Sequence, residues 1–284
     1  MTTIYQYTDC STAGLIRLDF QLIAQIERIA PGVLVRFDHL PLNRSFGCHP
    51  YLQAPAARAL ELAIADRPGI IMNLNSAYRT IAQQAVLFNH YQKKRCGIMA
   101  AARPGFSNHN SGLSIDIDDA AAWKRCLEFH GWDWIGSFDP MHFDYKPDGA
   151  KDLRFLSIKS FQQLWNLNNP VSKLAEDGKW GTHTYSALMA TSVDGFRNSP
   201  LNYDETSLGI PKAIQVFKPS LRFGASSLEV KELQQALTDK GFKVAVDGVY
   251  GEATLKAVKA YQTSAGLVAD GVVGVGTRSR LGLV

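Results

Sequence analysis

Two histidines and one aspartate in the middle of the chain have side chains of the types that hold a divalent metal ion. His109 and Asp116 lie in Ser107-Asn108-His109-Asn110-Ser111-Gly112-Leu113-Ser114-Ile115-Asp116, and His142 follows in Asp139-Pro140-Met141-His142. A catalytic zinc site takes three protein ligands and keeps one position open. These residues therefore predict a zinc site; the alternative is a solvated edge strand that carries a surface histidine.

Three further polar residues could act beside such a metal. Asp139 precedes His142 closely enough to take a proton from water without binding the metal itself. Arg79, which is always charged, could hold a substrate carboxylate or a developing oxyanion, and Gln84 could add a neutral donor. The predicted catalytic residues are thus Asp139, Arg79 and Gln84. The alternatives are a capping role for Asp139 and a structural ion pair for Arg79.

The hydrophobic pattern predicts the frame that must position these residues. Ile115 and Ile117 alternate with Ser114 and Asp116, which is typical of a strand with one apolar and one polar face. Helices are expected over 11–29, 55–65, 80–92 and 121–129, strands over 69–75 and 141–145, a loop over 40–52 and a turn over 131–136. Residues 1–150 are therefore predicted to form an α+β domain with a small antiparallel sheet.

Beyond that domain one motif occurs three times. Residues 177–184, 247–254 and 270–277 all fit D-G-x-[WYV]-G-x-x-T. Asp-Gly is typical of a tight turn, the second glycine is expected to take an unusual backbone angle, and a helix should follow.

The repeats predict the organisation of the rest of the chain. Residues 219–284 are interpreted as an all-α three-helix module whose first helix, 228–240, begins with a capping box of Ser226 and Glu229. Residues 155–192 resemble a partial copy of it. Residues 193–218, rich in Asn, Pro, Ser and Gly, are predicted to be a linker.

Composition sets the broad class. The chain of 284 residues is 46% hydrophobic and 20% charged, as globular proteins are, and its net charge of +4 includes no block of Lys or Arg. No nucleic-acid partner is expected. No apolar run approaches the length of a membrane span, so membrane insertion is not expected either, and the N-terminus lacks the basic start and apolar core of a signal peptide.

The remaining cysteines and histidines indicate no further site. Cys10, Cys48, Cys96 and Cys126 form no Cys-x-x-Cys, which excludes a zinc ribbon or a dithiol redox motif, while a disulfide such as Cys48 to Cys96 stays open. His49, His90, His130 and His183 have no matching partners in sequence and are expected to be structural or at the surface.

Three motifs, in order along the chain, resemble those of the M15 family of zinc peptidoglycan peptidases. Ser107-x-His109-x-x-Gly112-x-Ser114-x-Asp116 resembles S-x-H-x-x-G-x-A-x-D, Asp139-x-x-His142 resembles [ED]-x-x-H, and Ser76-x-Tyr78-Arg79 with Gln84 resembles Y-R-x-x-x-x-Q. The resemblance covers roughly residues 70–146. It implies zinc on His109, Asp116 and His142, with Asp139 as general base and Arg79 and Gln84 at the substrate.

Two departures bear on the reaction. Ser114 stands where the family has alanine, and Asp139-Pro140-Met141-His142 replaces the E-P-W-H of VanY-type D-alanyl-D-alanine carboxypeptidases. An aspartate base resembles the L-alanyl-D-glutamate endopeptidases, but some wall carboxypeptidases use it too. The motif therefore leaves two alternatives for the bond that is cleaved, D-alanyl-D-alanine and L-alanyl-D-glutamate.

The C-terminal repeats are similar to three-helix peptidoglycan-binding modules, through Leu233-Gln234-Gln235-x-Leu237 and Lys259-Ala260-Tyr261-Gln262. Together the resemblances imply a zinc peptidase anchored to peptidoglycan, acting in the cell wall, the periplasm or outside the cell. A monomer is expected. A phage endolysin or an exported toxin fits the same features. The rival hypothesis is a non-catalytic wall-binding protein with a degenerate peptidase domain.

Overall fold

Short strands and helices alternate along the chain in a computed structural model that describes residues 1–199, 216–217, 221–265, 267 and 269–283. In chain order they are a 3₁₀ helix Thr12–Leu15, α1 Ile16–Ile29, β1 Val35–Arg36, β2 Leu42–Ser45, β3 Tyr51–Leu52, α2 Ala54–Ala65, β4 Met72–Ser76, α3 Ile81–Gln92, a 3₁₀ helix Asn108–Ser111, β5 Ser114–Ile117, α4 Ala120–Phe129, β6 Trp132–Trp134, β7 His142–Tyr145, α5 Arg154–Asn168, α6 Thr182–Ala190, β8 Val216–Phe217, α7 Leu228–Asp239, α8 Glu252–Ser264 and α9 Val275–Leu281. Of the predicted linker 193–218, residues 200–215 and 218 lie outside the described residues.

The predicted fold class, an α+β domain followed by a helical module, is confirmed. One compact unit comprises residues 1–88 and 102–216, and the other comprises 89–101 and 217–284. Residues 155–192, predicted as a partial repeat, lie in the first unit, where α5 and α6 share a hydrophobic core with α1 and the start of α3. The predicted boundary near residue 150 therefore does not separate two cores.

The larger sheet has the strand order β6-β7-β5-β4-β2-β8, and a second sheet pairs β1 with β3. The pairs β4–β5, β5–β7 and β6–β7 are antiparallel, whereas β2–β4 is parallel. The expectation of an antiparallel sheet was therefore wrong for this pair. Parallel neighbours need a crossover connection, and β3 with α2 supplies one between β2 and β4.

Pairing between strands also corrects two loop predictions. The predicted loop 40–52 contains β2 and β3, and the predicted turn 131–136 contains β6. These strands are too short to show an alternating pattern in sequence. They form because Leu42 pairs with Met72 and Trp132 pairs with Tyr145 in the sheet.

The alternation predicted for β5 is confirmed. Ile115 and Ile117 are fully buried in a core that α2 and α4 build against one face of the sheet. Because side chains along a strand alternate between faces, Ser114 and Asp116 point to the opposite face. The sheet thus buries an apolar face and leaves a polar face for chemistry.

A buried glutamine closes each copy of the repeat. Gln234 of α7 places Nε2 at 2.8 Å from Asp247 Oδ1, 3.0 Å from the Val249 carbonyl and 3.0 Å from Thr254 Oγ1. Its Oε1 accepts the amide of Gly248 at 2.8 Å. The same four contacts are made by Gln162 in the first copy and by Gln262 in the third.

The two glycines of the repeat have different roles from those predicted. The first one takes the left-handed conformation, with φ of 68° at Gly178, 80° at Gly248 and 79° at Gly271. The second is extended and precedes a helix, as Gly181 and Gly251 do. The left-handed residue is needed directly after the aspartate, where its amide turns towards the glutamine.

The start of α7 differs by one residue from the predicted capping box. Ser227 is the N-cap, and its Oγ accepts the Val230 amide at 3.3 Å. Ser226 instead forms an isolated bridge with Val249, which takes it out of reach of the helix. Among the described residues no helix is long and apolar enough to cross a membrane.

We expect Gln234→Leu to lower the free energy of unfolding of the second unit by about 2–3 kcal/mol. Leucine has a similar volume but leaves the buried Gly248 amide and the facing oxygens without partners. Denaturant unfolding of the full chain, with hydrogen exchange at the Gly248 amide, measures the effect. The matched control is Gln235→Leu, because Gln235 is exposed and contacts only Asp239 among the described side chains. Equal stability of the two variants would contradict the closing role of Gln234.

Candidate metal centre

Strand register brings two of the predicted site residues together. Asp116 of β5 lies opposite His142 of β7 and, on its other side, opposite Ser76 of β4. Directly paired residues on neighbouring strands point to the same face, with Cβ atoms about 5 Å apart. The order of the strands therefore places an aspartate and a histidine, distant in sequence, side by side.

His109 reaches the same face from the loop before β5. It sits in the 3₁₀ helix Asn108–Ser111, which Ser107 caps by accepting the His109 amide at 3.3 Å. Gly112 ends this helix in the left-handed conformation, with φ of 66°, and turns the chain into β5. Glycine is favoured here by the left-handed conformation, and a Cβ at this position would also lie 2.7 Å from Leu34 Cδ2, so the leucine side chain would have to move.

The three donor atoms form a small triangle. His142 Nδ1 lies 2.9 Å from Asp116 Oδ1 and 3.2 Å from His109 Nε2, and His109 Nε2 lies 3.3 Å from Asp116 Oδ1. In a tetrahedral zinc site with bonds of about 2.0–2.1 Å, ligand atoms are about 3.3 Å apart. The donor set of two imidazoles and one carboxylate therefore fits zinc in both chemistry and spacing.

Each histidine is oriented by a partner on its other ring nitrogen. His109 Nδ1 donates to the Ala77 carbonyl at 2.7 Å, which leaves the lone pair of Nε2 for a metal. His142 Nε2 lies 2.8 Å from Asp144 Oδ1, which leaves Nδ1 facing the triangle. Histidines that bind metals usually have such partners, because these fix the tautomer and the ring orientation.

Sequence reasoning missed Asp144. The signal was present: residues two apart on a strand share a face, so His142 and Asp144 lie side by side on β7. Asp144 Oδ1 accepts a hydrogen bond from Ser114 Oγ at 2.7 Å, and Oδ2 accepts one from Asn108 Nδ2 at 3.0 Å. Ser114, the departure from the family's alanine, thus holds the carboxylate that orients His142.

Arg79 and Gln84 lie next to the triangle. Arg79 Nη2 donates to Asp116 Oδ2 and to Ser76 Oγ, each at 3.0 Å, and Nη1 donates to Gln84 Oε1 at 3.1 Å. Gln84 Nε2 in turn donates to the Ala102 carbonyl at 2.8 Å. Asp116 thus shares one oxygen with the histidines and the other with Arg79. A role for Arg79 and Gln84 at the substrate stays a prediction.

Asp139 lies in the turn between β6 and β7 and is partly exposed. Its carbonyl accepts the His142 amide at 3.1 Å, and the indole of Trp134 donates to the neighbouring Pro140 carbonyl at 3.0 Å. These bonds fasten the turn to the strand that carries His142. The catalytic role of Asp139 stays a prediction.

The charges of the site follow from its contacts. Burial would raise the pKa of Asp116, but the facing His109 and His142 outweigh it and hold that pKa well below its usual range. Burial would lower the pKa of His142, but hydrogen bonds to Asp116 and Asp144 raise it to about 10. At Asp144 the bonds from His142 and Ser114 overcome burial and lower the pKa to about 2. Both carboxylates are therefore ionised at neutral pH, so Asp116 has the charge that a metal ligand needs.

Two family models match parts of the chain. Residues 49–135 match VanY, described as D-alanyl-D-alanine carboxypeptidase, and residues 226–281 match a peptidoglycan binding domain. One stretch of the chain is thus similar to the VanY family and another to peptidoglycan-binding domains, which confirms the predicted resemblance. The first match contains Arg79, Gln84, His109 and Asp116 but ends before Asp139 and His142. The fold brings His142 to the same place as His109 and Asp116.

Two individual proteins are similar over shorter stretches. N-acetylmuramoyl-L-alanine amidase CwlL from Bacillus licheniformis is 37% identical over 112 residues, which are 38% of this chain and 31% of that protein. A crystal structure of a peptidoglycan-binding protein from Clostridioides difficile in complex with glutamine hydroxamate is 41% identical, with a TM-score of 0.22, over 22% of this chain and 40% of that one. The chain therefore spans about a third of the length of the amidase.

We expect Asp144→Asn to weaken zinc binding by about 10- to 100-fold, because the neutral amide orients the His142 ring less firmly and makes its Nδ1 a weaker electron donor. A competition titration with a chromophoric chelator measures the affinity. Asp133→Asn is the control, since Asp133 pairs with Asp144 across β6 and β7 but is exposed and bound to Lys146. Equal zinc affinity of both variants and the parent protein would show that His142 needs no support from Asp144.

Proposed function

We propose that this protein is a zinc-dependent peptidase that hydrolyses the stem peptide of peptidoglycan while its C-terminal domain binds the wall. The observation that carries the proposal is the convergence of His109, Asp116 and His142. Their ligand atoms lie within 4.8 Å of one another, and two of the three residues belong to the part of the chain that matches the VanY family.

His109 Nε2, Asp116 Oδ1 and His142 Nδ1 would hold the zinc ion. When bound, zinc polarises a carbonyl group and lowers the pKa of water towards neutrality. Arg79 binds the second oxygen of Asp116, so Oδ1 would be the oxygen left for the ion, and Asp144 keeps the His142 ring in position. The three ligands are thus fixed before substrate arrives, which is what a precise catalytic site needs.

The other residues act on the proton and the substrate. Asp139, at the partly exposed turn before β7, accepts the proton of the attacking water and passes it to the leaving amine. Arg79 adds a positive charge where a peptide carboxylate or the developing oxyanion would lie, and Gln84 holds the guanidinium in place. This assignment needs no further group from the chain.

The C-terminal domain would keep the enzyme at its insoluble substrate. A second binding site on the same chain raises the effective concentration of the catalytic domain at the wall. The protein would then act in the cell wall, whether from the periplasm or from outside the cell, with peptidoglycan as both substrate and anchor.

The direct test is digestion of purified sacculi, with the products identified by mass spectrometry. Release of D-alanine supports a carboxypeptidase, and a new amino terminus on D-glutamate supports an L-alanyl-D-glutamate endopeptidase. Release of stem peptides that begin with L-alanine would mean cleavage of the muramoyl–L-alanine bond, the reaction in the name of the amidase relative. Zinc-loaded protein that releases no product from any sacculus would overturn the enzymatic proposal.

We expect Asp139→Asn to keep zinc and to lose turnover by about 10²- to 10⁴-fold, because the amide cannot accept a proton. His142→Ala should lose both zinc at this site and turnover. Initial rates on sacculi and metal analysis of the same preparations measure the two effects. Asp148→Asn, on the exposed loop after β7, is the control and should retain both.

The rival hypothesis, a wall-binding protein without catalysis, makes a different prediction for the same proteins. It expects the parent chain and Asp139→Asn to pellet with sacculi equally well and to be equally inactive. The intact donor triangle speaks against it. So does Ser114, which the rival would count as decay but which donates to Asp144 in the site.

A further inference from the structure

A second cluster of metal-binding side chains lies at the C-terminal ends of α2 and α4. Asp66 follows the last residue of α2, Cys126 lies in the last turns of α4, and His130 follows its end. One ligand atom from each of the three residues lies within 4.8 Å of the others. These residues are separate from the first triangle, because α2 and α4 cover the opposite, apolar face of the sheet.

The helix itself brings two of the three ligands together. Cys126 and His130 are four positions apart, a spacing that places both side chains on one face of a helix. The His130 amide still bonds to the Cys126 carbonyl at 3.3 Å, so the last turn of α4 is intact at this point. Helical geometry therefore sets the separation of the sulfur and the imidazole.

The third ligand comes from a different part of the chain. His130 Nε2 lies 2.7 Å from Asp66 Oδ2, and Cys126 Sγ lies 3.2 Å from the Ala63 carbonyl one turn earlier in α2. The cluster is open on one side, since the Asp66 side chain is 53% exposed while that of His130 is 13% exposed. This opening leaves room for a fourth ligand from solvent.

The donor chemistry favours zinc. Sulfur, imidazole nitrogen and carboxylate oxygen are its usual ligands, and a thiolate with a carboxylate balances its two positive charges. The cation next in sequence, Arg67, is directed elsewhere: it donates to the Ala122 carbonyl and lies 5.0 Å from the centroid of the Trp123 ring. Its guanidinium therefore does not occupy the Asp66 carboxylate.

We propose that Asp66, Cys126 and His130 bind a second zinc ion, with a solvent molecule as fourth ligand, and that this ion fastens the ends of α2 and α4 together. These two helices form the core against the sheet that carries the catalytic residues. The second ion thus has a structural role, because it joins two helices of that core. Its binding does not depend on the proposed reaction.

Cobalt substitution of the full chain separates the two sites. A thiolate ligand gives a strong near-ultraviolet sulfur-to-cobalt charge-transfer band, and the first triangle contains no sulfur. We expect the band in the parent protein and in His142→Ala, and its loss in Cys126→Ser. The matched control is Cys48→Ser, which removes the other free thiol, a buried one, and should keep the band.

Zinc content gives the second readout. We expect two equivalents in the parent protein, one in Cys126→Ser, one in His142→Ala and none in the double variant, with hydrolysis of sacculi retained in Cys126→Ser. Asp66→Asn, which keeps the thiol and the imidazole, should bind the second equivalent at least 10-fold more weakly. In the His142→Ala protein, added zinc should raise the melting temperature, and Cys126→Ser should abolish that rise.

Either of two results would overturn the proposal. One is a folded parent protein, by circular dichroism, that shows no thiolate-to-cobalt band and takes up a single equivalent of zinc. The other is a second equivalent that survives unchanged in Cys126→Ser. Failure of the catalytic proposal is seen separately, as a lack of products from sacculi. The charge-transfer band and the number of zinc equivalents bound do not depend on turnover.

Discussion

The site depends on one interaction: the carboxylate of Asp116 faces two imidazoles on one side and a guanidinium on the other. Asp116 is largely removed from water, and an unpaired charge there would be costly. Its two oxygens have different partners: Oδ1 faces His109 and His142, and Oδ2 accepts a hydrogen bond from Arg79.

The sheet provides that support because its two faces differ. Ile115, Ile117 and Phe143 anchor β5 and β7 in an apolar core, so the strands are stiff where Asp116 and His142 project from the other face. The paired register places Asp116 and His142 side by side, and neither residue lies on a loop. His109, by contrast, depends on a capped turn and on the left-handed Gly112. The centre therefore combines two rigid strands with one tightly built loop.

The glutamine of the D-G-x-[WYV]-G-x-x-T repeat is used in both units. In the second unit Gln234 and Gln262 close the two turns of a three-helix module. In the first unit Gln162 closes the same kind of turn, but α5 and α6 pack against α1 and α3 instead of completing a module. The motif of the C-terminal repeats thus also helps to build a core of the first unit, which carries the candidate metal centre. Its geometry is structural in all three copies.

The sequence by itself determined the types of the candidate metal-binding residues, the apolar and polar faces of β5, the helices and the repeat, because each of these depends on local spacing. It missed β1, β2, β3, β6 and β8, which are too short to show a period and exist through pairing with their neighbours. It also missed Asp144 as the partner of His142, and Asp66 as the partner of His130. Only the tertiary structure decided these, because they depend on which strands and helices become neighbours. Local spacing places Cys126 and His130 on one helix face, but nothing local brings Asp66 to them.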